Sequence, residues 1–212
     1  MPAHRSEAEA EIREAVVAKL RRLRPGARII NEINVLDGRV RVDVMAVDRA
    51  EIITVEIKSE RDKLDRLPTQ LDAMRRTSHT PIAALHRKFM PDPEATLAPR
   101  LDFMPYDQLV WWYPTAQDMA EAHHPAFTWR DPDPMDHLQK ALPPEAMSLL
   151  HSHEMKTVCA EVGLSLPPRS NMKSMERFLR WGATGRQITL GICKALRARE
   201  WAAEADPPIL DV

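Results

Sequence analysis

Cysteine is nearly absent from this chain: its 212 residues include only Cys159 and Cys193. The two stand far apart and match no metal-ligand spacing. That excludes a disulfide framework and a thiolate metal site, and points to two reduced thiols in a cytoplasmic protein. Long apolar runs are also missing. No stretch approaches the roughly 20 apolar residues of a spanning helix, so no membrane partner is expected. The opening MPAHRSEAEAEIREA is charged and lacks a hydrophobic signal region, so nothing in it directs export. No internal repeat and no low-complexity tract occurs. Net charge is close to zero, at −1, so bulk charge does not advertise a polyanionic partner.

The distribution of charge says more. Residues 1–90 carry 18 Lys and Arg against 14 Asp and Glu, residues 91–150 carry 3 against 10, and residues 151–200 carry 9 against 4. Two basic segments therefore flank an acidic one. A length of 212 residues and a 44% hydrophobic content suit one medium domain, or one core with a smaller appendage.

Residues 6–23 read as an amphipathic helix, with Ile12, Val16, Leu20 and Leu23 at helical spacing. Ser6 is its candidate N-cap, Glu9 its capping-box partner, and Pro25-Gly26 its stop. Three strand-like runs follow. RIINEINVL (28–36) stops at the tight-turn pair Asp37-Gly38. Residues 39–47 alternate, with Val40, Val42 and Val44 on one face and Arg39, Arg41, Asp43 and Met45 on the other. EIITVEIKS (51–59) is rich in β-branched residues. The short connections favour an antiparallel meander. A helix is expected over 63–76, with Pro68 in its first turn, and PIAAL (81–85) suits a buried fourth strand. Runs of strands closed by helices mean an α+β or mixed α/β fold. Ten of the 18 prolines fall in 91–150, together with Trp111, Trp112 and Trp129, so this stretch is expected to be irregular structure packed on the core. Helices are expected over 145–162, 172–181 and 186–201. The domain reading is a core at 1–90, a Pro- and Trp-rich connector at 91–144, and a helical C-terminal segment at 145–212.

Chemistry concentrates in the strands. Glu56 and Lys58 lie two apart in TVEIKSE and so share a sheet face. Asp43 is a second charge inside an apolar strand, VRVDVMAV. Burying such groups is costly unless they serve each other or a metal. Carboxylates beside a lysine are the minimal apparatus for phosphodiester hydrolysis, because carboxylates hold Mg²⁺ and the ion activates water and neutralises charge at phosphorus. The same residues would also make a buried ion pair without chemistry.

Asp43 followed, after twelve intervening residues, by Glu56-Ile57-Lys58 resembles the PD-(D/E)XK nuclease signature, with Val42 standing where the family has a proline. The helix, three strands, helix, strand order resembles that superfamily's core: a mixed sheet flanked by helices. More narrowly, GRVRVDVMAVDRAEIITVEIKSERDKL is similar to MmcB-type DNA-repair proteins. EIKSERDKLDRLPTQLDAM is similar to a group of bacterial and phage-borne proteins that continue with a Trp-Trp stretch and a helical C-terminus. The resemblance implies a Mg²⁺- or Mn²⁺-dependent deoxyribonuclease of DNA repair or of phage and mobile-element DNA processing. Cleavage would leave a 5′-phosphate and a 3′-hydroxyl. Asp43 would be the central metal ligand, Glu56 the second, and the Ile57 carbonyl a third. Lys58 would orient or help deprotonate water and stabilise charge on the phosphate. Gln70, twelve residues after Lys58, would hold water or phosphate. Glu32 is the candidate outer acidic ligand, with Glu11 as its rival. A binding or scaffolding module with the same fold and no cleavage is the alternative. The resemblance also allows a homodimer, although no interface is legible.

The C-terminal stretch HEMKTVCAEVGLSLPPRSNMKSMERFLRWG resembles a small SAP-like DNA-binding hairpin, in which Lys156, Arg169, Lys173, Arg177 and Arg180 would contact phosphates. A helical cap on the core is the plainer reading. His151, His153 and Glu154 look like helix-end residues, since positions two apart on a helix do not share a face. His123-His124 reads as surface. Trp111-Trp112-Tyr113 could stack on bases, with core packing the better expectation.

Overall fold

The structure, a computed structural model, describes residues 7–90, 101, 103–105, 108–114, 131–200 and 205–210. Helix α1 spans Glu7–Leu23. Its Ile12, Val16 and Leu20 are buried, as their spacing requires of one apolar face. Ser6, and with it the expected cap, lies outside the described residues.

Strands β1 (Arg28–Val35), β2 (Val40–Val47) and β3 (Ile52–Lys58) form the expected antiparallel meander. Leu36, Asp37 and Gly38 all take positive φ and reverse the chain between β1 and β2. After β3 comes a loop fixed by Asp62, whose carboxylate accepts bonds from the Ser59 N–H (2.7 Å) and hydroxyl (2.6 Å). Helix α2 therefore begins at Leu67 rather than 63, with Pro68 in its first turn, and ends at Arg75. The chain then crosses to β4 (Thr80–His86), parallel to β3. The described part of the Pro-rich stretch contains a strand that periodicity did not expect. Strand β5 (Leu109–Tyr113) pairs in parallel with β4, giving a five-stranded mixed sheet in the order β1-β2-β3-β4-β5. Its LVWWY run is too short, and too close to prolines, to declare a strand before β4 exists as its template. Trp111 and Trp112 point to opposite faces and are both buried, so neither offers a ring to a base.

All seven β3 residues are buried, as suits a central strand covered on both faces. On one face α1 packs against Ile29, Val44, Ala46, Ile53, Val55, Ile57, Ile82 and Ala84. On the other, α2 and the C-terminal helices share a cluster with Ile30, Met45, Val47, Ala83 and Leu85. The expected alternation of β2 fails at one point: Val42 lies on the α2 face and Val44 on the α1 face. The same shift occurs opposite, where Ile30 and Ile33 share the α2 face although three apart. The pivot is the pair Glu32 and Asp43, the one position missing from an otherwise continuous β1–β2 register, and Glu32 has φ +55°. An L residue there is strained, and such strain persists where its surroundings fix it.

The C-terminal part comprises α3 (Asp136–Gln139), a 3₁₀ turn (Pro144–Leu149), α4 (Ser152–Glu161), α5 (Met172–Gly182) and α6 (Gly185–Ala198). The helix expected over 145–162 is interrupted: Leu150 is extended, and Glu154 reaches back to accept the His151 N–H at 2.6 Å, starting a new helix there. The last helix stops at Ala198. Arg28, 1% exposed on β1, donates to the carbonyls of Leu196, Arg197 and Arg199, which neutralises the helix C-terminus and ties it to the sheet. Among the described residues no helix is long and apolar enough to cross a membrane.

Candidate active site

Beyond the pairs Val44–Val55 and Met45–Thr54, β2 and β3 no longer pair, and the next register position would be Asp43 opposite Glu56. There the Asp43 carboxylate itself accepts the Ile57 N–H, at 2.7 Å. A side chain has replaced a ladder carbonyl, and the strands part. The opening is a cleft of about 530 Å³ lined by Glu9, Glu32, Arg41, Asp43, Glu56, Ile57, Lys58, Asp62, Lys63, Asp65, Arg66 and Gln70. Asp43, Glu56, Ile57, Lys58, Gln70 and Glu32 thus share one cavity.

Glu56 is the most deeply placed acid, 2% exposed. Its Oε1 accepts Lys58 Nζ at 2.7 Å and also the Gln70 side-chain amide. Its Oε2 is buried without a hydrogen-bond partner among the described residues, as is Gln70 Oε1. A buried carboxylate oxygen with nothing to accept is expensive and calls for a donor or a cation. Burial, then the Asp43 charge, pushes the Glu56 pKa up to about 8, against the opposing pull of Lys58 and Gln70. Asp43 is also raised, by burial first, while the Ile57 N–H, Arg13 and Lys58 hold it back.

The other side of Asp43 belongs to α1. Arg13 is 6% exposed, and its guanidinium donates to Glu9 Oε1 (2.7 Å), Glu32 Oε1 (2.8 Å) and the Asp43 carbonyl (2.6 Å), and lies 3.7 Å from Asp43 Oδ1. Carboxylate oxygens of Glu9, Glu32 and Asp43 come within 4.8 Å of one another around it. Glu32 also pairs with Arg41 at 2.8 Å. Glu11, the rival for the outer acidic position, lies elsewhere: its carboxylate is 3.5 Å from the Tyr113 hydroxyl at the β5 edge. The helix acid at the cleft is Glu9. It stands about 60° from the Ile12 stripe on a helical wheel, and Glu11 about 100°, so the signal was present in the spacing. Sequence reasoning also missed Arg13, which reaches the site through the angle at which α1 docks, and Lys63 and Arg66 on the rim, whose loop position follows from Asp62.

The five C-terminal cations Lys156, Arg169, Lys173, Arg177 and Arg180 are exposed on α4, the following loop and α5, and none lines the cleft. His151, His153 and Glu154 have ligand atoms within 4.8 Å of one another because His151 precedes α4 instead of lying on it. Both Glu154 oxygens, however, are held by Arg199, at 2.6 and 2.5 Å, so the group is a helix cap and ion pair. His123, His124 and Trp129 lie outside the described residues.

These features define an α/β protein with a five-stranded mixed sheet and an acidic cleft where two strands part. Residues 2–90 are similar to a family described as bacteriophage P4 protein cII. That stretch holds α1 through β4 and every residue that lines the cleft. No curated protein and no solved structure matches the chain.

Proposed function

We propose that this protein is a Mg²⁺- or Mn²⁺-dependent deoxyribonuclease built on a PD-(D/E)XK core. The observation that carries the reading is the convergence of Asp43, Glu56, Lys58 and Gln70 on one cleft, with Glu56 Oε2 buried and unpartnered among the described residues. The donor set fits a hard divalent cation: two carboxylates on parting strands, with Ile57 between Glu56 and Lys58. Asp43 and Glu56 would hold it, with the Ile57 carbonyl as third ligand. When bound, such an ion supplies charge neutralisation at phosphorus and a more acidic water.

The chain's own groups do the rest. Lys58 is positioned by Glu56 to donate to a phosphate oxygen or to the attacking water. Gln70 has a carbonyl oxygen without a partner among the described residues, which would accept a hydrogen bond from a water. Arg13 fixes Asp43 through its backbone carbonyl and so acts as a positioning residue. Lys63 and Arg66 at the rim would receive the phosphate backbone. The phage family match over 2–90 supports a setting in phage or mobile-element DNA processing, with DNA repair as the other setting the core suits.

A second reading is a DNA-binding or scaffolding module that does not cut. It is favoured by the Glu56–Lys58 contact at 2.7 Å, which gives the buried carboxyl group one cationic partner without a metal. One experiment separates the two. Purified protein is incubated with labelled single-stranded, duplex and branched DNA, with and without Mn²⁺. Metal-dependent cutting that disappears in Asp43→Ala and Lys58→Ala supports the nuclease, and binding without cutting, with or without Mn²⁺, supports the module.

A further inference from the structure

Helix α5 has two unlike faces. Met175 and Leu179 are fully buried, and Met172 packs partly against the core. On the opposite side lie Lys173, Arg177 and Arg180, all exposed and within an arc of about 60°. Trp181 stands about 40° beyond Arg177 and is 87% exposed, the most exposed large apolar side chain among the described residues. Exposing an indole to water is unfavourable, and tryptophan is enriched at contact surfaces. Arg169 precedes the helix and Arg186 follows it, both exposed. None of these five cations forms an ion pair with another described residue, whereas Lys194 and Arg199 nearby do.

We propose that the outer face of α5 is a single-strand nucleic-acid site, in which Trp181 stacks on an unpaired base while Lys173, Arg177 and Arg180 follow the phosphates. Charge selects the partner: unpaired cations around one aromatic ring complement a polyanion that also carries π faces. The ring selects the strand state, because a duplex buries its base faces in its own stack and leaves none for an indole. This inference rests on the nucleic-acid reading above and narrows it to substrates with an unpaired segment, held by α5 apart from the cleft.

The test measures binding of the full chain to a fluorescent thymidine oligonucleotide and to a duplex of equal length, in EDTA so that no cleavage intervenes. Trp181→Ala should weaken oligonucleotide binding roughly ten-fold and leave duplex binding unchanged. Trp181→Phe, which keeps a stacking face, should restore most of the loss. Arg177→Ala with Arg180→Ala should weaken both ligands and flatten the salt dependence. Thermal melting checks that each variant is folded.

Unchanged oligonucleotide binding in Trp181→Ala overturns the proposal, as does equal loss toward both ligands. Binding to phosphatidylserine vesicles with none to the oligonucleotide overturns it in favour of a membrane surface. A Trp181 effect in a protein that never cuts DNA would leave this site standing and remove the nuclease reading. Metal-dependent cutting in a protein whose oligonucleotide binding ignores Trp181 would do the reverse.

Discussion

The Asp43 carboxylate accepts the Ile57 N–H at 2.7 Å, where a β2 carbonyl would stand in an unbroken ladder. One side chain thereby satisfies the backbone and holds a charge at the mouth of the cleft. Sheet and site are not separable at this residue.

That dual role makes Asp43 a test of stability as well as of activity. Asp43→Ala leaves the Ile57 N–H without its acceptor and should cost about 1–3 kcal/mol. Asp43→Asn keeps an oxygen for that bond and should cost less, while still removing the charge. Urea unfolding of the two variants compares them, and equal losses would show that the hydrogen bond carries no stability.

Glu56 sets the response to pH. Its folded pKa is raised to about 8 by burial and by Asp43, above the ordinary value of 4.5. A raised folded pKa means that the folded state binds the proton more tightly than the unfolded chain. The contribution to stability is therefore present in full below about pH 4.5 and is lost as pH rises through about 8. The melting temperature should fall across that window and fall less in Glu56→Gln. A bound divalent cation favours the ionised form, so Mn²⁺ should restore melting temperature more at pH 8 than at pH 6. Thermal scans at both pH values, with and without Mn²⁺, read all of this.

Arg13 joins α1 to the pivot between β1 and β2 through Glu9, Glu32 and the Asp43 carbonyl. Arg13→Met removes the cation from among three acids and should destabilise by about 2–4 kcal/mol, at the lower end for a buried pair because Glu9 and Glu32 stay partly wetted. Arg13→Lys keeps the charge, cannot reach all three partners, and should fall between. Chemical denaturation gives the order, and a neutral Arg13→Met would refute the role.

Arg28 tests the attachment of the C-terminal helices. It is buried and donates to three carbonyls at the end of α6 and to Asp206, whose own carboxylate accepts the Ile29 N–H at 3.0 Å. Arg28→Leu leaves those carbonyls unpaired and should cost about 3 kcal/mol or more. Limited proteolysis should then cut near α6 before the sheet, and an unchanged digestion pattern would count against this tie.

Much of the fold was legible in the sequence. The Ile12–Val16–Leu20 stripe gave α1, the apolar β-branched runs gave β1 to β4, and Asp37-Gly38 gave the turn. These signals are local and survive without a partner. β5 carried none, because its strand character comes from β4. The break at His151 was hidden because a capping box competes with helix propensity that runs on either side of it. At the site, Glu56 and Lys58 declared themselves as charges in a buried strand, and their shared face followed from the period of two. Glu9 showed only as a wheel position nearer the apolar stripe than Glu11, and Arg13 not at all, since both act through the angle at which α1 meets the sheet.

The sequence by itself determined which residues are charged inside apolar strands, because burying a charge is costly enough to mark its position. Only the tertiary structure decided that Glu32 and Asp43 form a pivot, that β2 leaves β3 there, and that Arg13 enters the gap. Those outcomes depend on backbone conformation and helix docking, which arise from contacts between segments far apart in the chain.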